Sequence, residues 1–233
     1  MKRITVFISL LFVLIILTPK VWSQSVPFFA EPALSLSKSL KGRWSANSKL
    51  VFRQQLASLE NRQLDWVSQS DVIEVQLFVN YRLLGSKRLT IGYLYGLDEP
   101  FLSSAQTEHR LMQQFSFESG NRFKWVNRIR LEQRIGENQF RNRLRYRFTF
   151  DEPLSGDKID AKEWYFVAGD EWLYTFTGVP GEDHLENRLH AGLGYMFANG
   201  QKLQIEMQYR LMRIAGARQS SAWHLLLTYN LKL

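Results

Sequence analysis

From Asn127 to Phe148 the chain reads NRIRLEQRIGENQFRNRLRYRF, with a charged side chain at nearly every second position on both sides of Gly136-Glu137-Asn138. Successive side chains leave a strand on opposite faces, so this period of two is a strand signature that no helix fits. One face carries Arg128, Arg130, Glu132, Arg134, Arg141, Arg143, Arg145 and Arg147; the other carries Ile129, Leu131, Ile135, Phe140, Leu144, Tyr146 and Phe148. The charged set is even-numbered before the turn and odd-numbered after it, so the connection must hold two or four residues. A Gly136-Glu137 turn sets Glu132 opposite Arg141, and a Glu137-Asn138 turn sets it opposite Arg143. Alternation alone does not say which face is wet. A soluble ligand-binding barrel turns its apolar face inward, and a membrane barrel turns it to lipid.

The N-terminus bears on that choice. Lys2 and Arg3 precede the uncharged run ITVFISLLFVLIIL, followed by TPKVWS with Val21 and Ser23 at the positions a leader peptidase reads. This pattern predicts a signal peptide over residues 1–23, because the run falls short of the roughly 20 apolar residues a spanning helix needs. The exported chain, residues 24–233, then has no apolar run long enough for a helix to cross a bilayer. Any insertion has to be as a closed barrel, where every backbone group is paired.

The same period recurs along the rest of the sequence. Ile73, Val75, Leu77, Val79, Tyr81 and Leu83 alternate with Glu74, Gln76, Asn80 and Arg82; Leu203, Ile205, Met207, Tyr209 and Leu211 alternate with Gln204, Glu206, Gln208 and Arg210. No linker divides the segments, which predicts one all-β domain. With 0 cysteines, disulfides and thiolate metal sites are excluded. The formal charge of +8 would ordinarily raise nucleic acid as a partner. Export, and the placement of the arginines on one face of strands, argue for no nucleic acid.

Trp223, Leu225, Leu227, Tyr229, Leu231 and Leu233 alternate up to the last residue of the sequence, as a barrel's closing strand would. Outer-membrane barrels commonly end this way, in a signal read by the barrel-assembly machinery; Leu233 stands where they prefer an aromatic. Longer connections, SLENRQLD, LDEPFLSS, TGVPGEDH and RIAGARQSS, mostly alternate with short ones at Gly85-Ser86, Ser119-Gly120-Asn121 and Asn199-Gly200. Long outer loops and short periplasmic turns give that alternation. Gly136-Glu137-Asn138 and EPLSGDKIDAK break it. The expected fold is a closed antiparallel transmembrane β-barrel of roughly 10 to 12 strands, with even closure assumed. About eleven segments are legible. Twelve follow if Val26 to Ala30 begins an additional strand, and ten if ALSLSKSL is an extension.

The succession NRIRLEQR, FRNRLRYRF, GDEW, ENRLHAGLGYMF and HLLLTYNLKL resembles the exported Bacteroidetes-type family catalogued as domain of unknown function 2490. Asn127, Arg128, Arg130, Glu132, Arg134, Asn142, Arg143, Arg145, Asp170, Glu171, Asn187 and Arg188 match its pattern. The resemblance implies an outer-membrane β-barrel without an assigned activity, so it carries over no residue roles.

If lipid meets the apolar face, the arginines line the interior, where unpaired guanidinium groups are costly. Glu108 and Glu118 before the hairpin, and Glu163, Glu171 and Arg188 after it, share the polar parity. An Arg-Glu ladder is the expected interior, because guanidinium and carboxylate pair bidentately. The alternative is a hydrated lumen whose arginines attract a small anionic solute. Catalytic signals are weak. His184 is expected in a loop, His109 on the apolar parity, and His190 and His224 on the polar parity; Ser221 lies one residue off the parity of His224, and Ser116 has no histidine at a suitable spacing. The sequence assigns no catalytic, cofactor-binding or metal-binding residue. Its expected function is a structural or transport barrel in the outer membrane, with lipid as partner. An outer-membrane lipid-modifying hydrolase and a soluble periplasmic ligand-binding barrel are the alternatives.

Overall fold

The computed structural model describes residues 25–60, 63–120, 124–137, 140–179, 182–214 and 219–233. The expected leader lies outside them, as does Asn138 of the hairpin turn. The chain forms β1 (Val26–Ser39), β2 (Trp44–Glu60), β3 (Gln63–Arg82), β4 (Lys87–Asp98), β5 (Gln106–Ser119), β6 (Lys124–Gly136), β7 (Phe140–Pro153), β8 (Glu163–Phe176), β9 (His184–Met196), β10 (Lys202–Ile214) and β11 (Ser220–Lys232). These 11 strands close into one barrel, each paired with its sequence neighbours and β1 with β11.

The expected all-β closed barrel is present, and 11 lies within the expected range. The even count rested on antiparallel closure throughout. Here β1 and β11 run parallel, from Phe28 opposite Trp223 to Ser37 opposite Lys232, so no parity condition applies. Val26 to Ala30 and ALSLSKSL are not rival strands: together they make β1, bent by an irregularity in its pairing with β2 at Phe28/Phe29.

Strand direction defines two ends. The upper end holds the start of β1 and the β2–β3, β4–β5, β6–β7, β8–β9 and β10–β11 connections; the lower end holds the other five and the end of β11. Gly85 and Gly200 occupy left-handed backbone, φ 69° and 78°, in tight lower turns. SLENRQLD, read as a loop, is mostly strand: Ser58 pairs with Asp65, Leu59 with Leu64 and Glu60 with Gln63. Because β4 ends opposite Val72, this hairpin stands above the upper rim with Trp66 80% exposed.

The barrel is inside out relative to a soluble domain. Leu50, Leu77, Ile91, Leu111, Ile129, Leu144, Leu193, Ile205 and Leu227 are exposed on the outer wall, whereas Glu132, Glu171, Glu186, Arg143, Arg210, Gln208, His190 and His224 are buried within. Aromatic pairs on the outer wall gather near the two ends. Trp44 with Tyr81, Trp125 with Phe150, and Trp164 with Tyr195 sit at the lower end, at centroid distances of 4.7, 4.7 and 5.0 Å. Tyr174 with Phe176 and Tyr209 with Trp223, both at 4.9 Å, sit toward the upper end.

Candidate functional site

The interior polar side chains come from alternate positions of neighbouring strands, as the period of two requires. In the β6–β7 hairpin Glu132 lies opposite Arg143, Arg130 opposite Arg145 and Arg134 opposite Arg141, the register expected of the Glu137-Asn138 turn. With Arg128 opposite Arg147 as well, like charges face one another at three of these four levels. Those levels are tolerable only if carboxylates reach in from elsewhere.

Glu171 on β8 is one such carboxylate, with no exposed surface at all. Arg145 Nη2 donates to its Oε1 and Oε2 at 3.0 and 2.9 Å. Arg147 donates from Nε and Nη2 to the same two oxygens, both at 3.0 Å, and Arg128 Nη2 reaches Oε1 at 3.4 Å. Glu132 does not bond Arg143, its register partner; its Oε1 accepts from Arg145 Nη1 at 2.6 Å and Arg130 Nη1 at 3.4 Å. Arg145 therefore bridges Glu132 and Glu171. Arg130 also gives Nε and Nη2 to Gln114 Oε1 at 3.0 and 2.8 Å, with its guanidinium carbon 5.5 Å from the centre of the Phe78 ring.

Toward the upper end Arg134 donates from Nε and Nη2 to Glu108, both at 3.0 Å, and Glu108 also pairs with Arg110, which reaches Glu74 at 3.2 Å. Arg188 donates from Nε to Glu186 Oε1 at 2.6 Å. Arg143 is 8% exposed, and among the described residues its hydrogen-bond partner is Thr175 Oγ1, at 2.9 Å from Nε. Of the remaining expected positions, Arg141 is half-buried near the upper mouth. Glu118 is exposed at the lower rim, and Glu163 accepts from the Asp160 backbone N–H at 3.3 Å. These three share the parity without joining the central network.

Glu206, Arg210, His190 and His224 were legible as polar-face positions but were not expected in the ladder, and Glu31, Arg53 and Asp71 join them inside. Arg210 Nη2 donates to Glu31 Oε2 at 2.9 Å, and His190 Nδ1 lies 2.5 Å from Glu206 Oε2. Arg53 pairs with Asp71. His224 stacks on Phe29 at 4.8 Å, beside Glu31. His184, expected in a loop, begins β9. His109 is on the outer wall, its Nδ1 2.6 Å from the Tyr93 hydroxyl.

Gly194 makes room for the Tyr165 ring, and Gly169 for the His190 ring. The space left among these groups is a cavity of about 760 Å³ lined by residues of both charge signs, Lys49, Arg143 and Glu186 among them. Among the described residues no serine hydroxyl is hydrogen-bonded to a histidine. Chemically the arrangement can hold charges, and order anions or water, in a confined space.

None of the curated proteins and none of the solved structures matches this chain. A family described as protein of unknown function, DUF2490, matches residues 32–221, from the second half of β1 through the charged hairpin to the start of β11. That span contains the whole Arg-Glu network around Glu132 and Glu171, and the chain belongs to this DUF2490 family.

Proposed function

We propose that the chain is an integral outer-membrane barrel, exported by its leader, whose outer wall meets lipid and whose interior is braced by ion pairs rather than held open. The observation that carries the reading is the inversion of polarity: charge inside, large aliphatic side chains outside. A soluble ligand-binding barrel has the opposite distribution.

Two further features agree with lipid. Trp164 and Tyr174 lie ten residues apart on the outer face of β8, one in each aromatic group. At a rise of about 3.3 Å per residue and a tilt of about 40°, that separates the groups by about 25 Å, the height of an apolar band between aromatic girdles. Several polar side chains of the outer wall also satisfy one another. Gln113 and Gln133 exchange amide hydrogen bonds at 3.0 and 3.1 Å; Trp172 Nε1 and Asn187 Nδ2 donate to Asp170 at 2.8 and 2.5 Å; Tyr146 donates to Asn127 at 2.8 Å. Hydrocarbon demands such pairing, and water does not.

A lipid-modifying hydrolase is less well supported, since the buried His190–Glu206 pair turns its other ring nitrogen toward Gly169 and not toward a nucleophile. Passage of a small anionic solute is favoured by one observation: Arg143 is buried, lines the cavity and, among the described residues, gives only its Nε to a partner.

The test is cell fractionation of the full chain with its leader, followed by electrophoresis with and without boiling. Recovery in the outer membrane with heat-dependent migration is expected; a chain recovered folded in the aqueous periplasmic fraction would refute the reading. Planar-bilayer recording then separates bracing, with no steady conductance, from anion passage.

A further inference from the structure

Ion pairs fill the centre of the barrel, but the charged residues lining one chamber at its lower end are cations alone. This chamber, of about 470 Å³, is lined by Lys38, Arg82, Arg88, Arg128, Arg130 and Lys232, with no carboxylate among its lining residues. Arg82 and Arg88 face each other across β3 and β4, and among the described residues the ion-pair contact of Arg128 is the 3.4 Å one to a Glu171 whose oxygens two other arginines already hold. The Arg130–Phe78 stack stands between this vestibule and the central cavity, since both line each space.

The outer wall is dented at the same place. On β2 the outward positions run Trp44, Ala46, Ser48, Leu50, so two small side chains stand between two large ones. Leu36 and Lys38 flank them on β1, opposite Ser48 and Ala46, while Leu77 and Val79 flank them on β3. The result is an apolar groove of about 470 Å³, continued by Ile91, Tyr93 and Leu111. Groove and vestibule share Ser37, Lys38, Ala46, Asn47 and Phe78. They are two arms of one surface that bends over the lower rim.

An apolar arm on the lipid side joined to an arm of uncompensated cations matches a single kind of molecule. We infer that this rim binds one phospholipid of net negative charge, with an acyl chain in the groove over Ala46 and Ser48 and its phosphate in the vestibule among Lys38, Arg82, Arg88 and Lys232. The site rests on the outer-membrane reading and adds to it a bound lipid at a fixed place. Guanidinium and ammonium groups supply charge-assisted hydrogen bonds to phosphate oxygens, and the groove supplies contact for an acyl chain. A free phosphate ion would use only the cationic arm, and a neutral lipid chiefly the apolar one.

The experiment uses the full exported chain purified in zwitterionic detergent, first checked for heat-dependent migration. It is titrated with dioleoyl phosphatidylglycerol, dioleoyl phosphatidylcholine and inorganic phosphate, with bound lipid read by native mass spectrometry and affinity by calorimetry. One phosphatidylglycerol per barrel is expected, held more tightly than phosphatidylcholine. Arg88→Gln and Lys232→Gln, both at the exposed rim, each weaken it about fivefold. Ser48→Leu, which fills the groove with the side chain its neighbours carry, weakens both lipids. Inorganic phosphate binding as tightly as phosphatidylglycerol would replace the lipid with a soluble anion and overturn the inference. Equal retention of both lipids, unaffected by the two charge variants, would reduce the site to unspecific wetting. A chain that folds without any amphiphile defeats the outer-membrane reading itself, whereas a heat-modifiable barrel that retains no lipid defeats only the site.

Discussion

Glu171→Gln separates a braced interior from a hydrated one. The substitution keeps the shape of the side chain, removes its charge and replaces one acceptor oxygen by a donor. Three guanidinium groups converge on Glu171. Arg145 keeps Glu132 at 2.6 Å, so the stranded groups are Arg147 and Arg128. Removing one partner of a buried pair costs about 3 to 5 kcal/mol. The Arg147 side chain is 28% exposed and recovers some hydration, which places the expected loss near the lower end of that range, about 3 kcal/mol. Arg147→Gln alone leaves Glu171 held by Arg145 and is expected to cost only about 1 kcal/mol, as for a partly solvated pair.

The double variant is the decisive member. If Arg147 is the group that Glu171→Gln strands, removing it as well recovers part of the loss, with a coupling of about 1 to 2 kcal/mol. The assay is reversible urea unfolding of the barrel in phospholipid vesicles, followed by tryptophan fluorescence. Trp172 adjoins Glu171 on the opposite face of β8 and reports on the same strand. A Glu171→Gln loss below about 0.5 kcal/mol together with zero coupling would mean that water solvates these groups, and the bracing argument would fail.

Three other outcomes follow from the same structure. Ala168→Arg, on the outer wall of β8 between the levels of Trp164 and Tyr174, should lose about 2 to 4 kcal/mol in vesicle unfolding, and an unchanged value would favour an aqueous exterior. Gly192→Ala would drive a methyl into the Ile205 carbonyl and the Glu206 backbone; it should destabilise β9–β10 by about 1 to 3 kcal/mol or more, and wild-type stability would show that the two strands can part there. Deleting Tyr229–Leu233 removes the partners of Lys202 and Leu203 on one side and of Leu34 to Ser37 on the other, opening the closing seam. Heat-modifiable migration of the truncated chain would show that the seam closes without them.

The reach of the sequence follows from what a period of two encodes. It records which side of a strand a residue leaves, so the partition of Arg128, Glu132, Arg145 and Glu171 from Ile129, Leu144 and Tyr146 was legible residue by residue. Periodicity does not record strand direction at the seam. Assuming an antiparallel seam made Val26 to Ala30 and ALSLSKSL competitors, when a parallel β1–β11 pair accommodates both. Nor does it mark where a hairpin leaves the barrel: SLENRQLD has loop composition, yet its backbone groups pair across β2 and β3.

Ion-pair partners are lost for a different reason. Register puts Glu132 opposite Arg143, but arginine is long enough to pass its nearest neighbour, and the bond goes to Arg145 one level away. Arg143 is left facing the cavity with Thr175. Guanidinium choice inside a barrel is decided by the best simultaneous assignment of several carboxylates, not by adjacent pairs. Glu171 is two-pronged and shielded from water, so it collects Arg145 and Arg147 bidentately, which frees Glu132 to serve Arg130 and the far side of Arg145. Whichever cation the assignment leaves over becomes the place where a mobile anion would rest. The same logic applied to the lower chamber, whose lining holds no carboxylate, makes that chamber rather than the paired centre the part of the barrel built to receive something from outside.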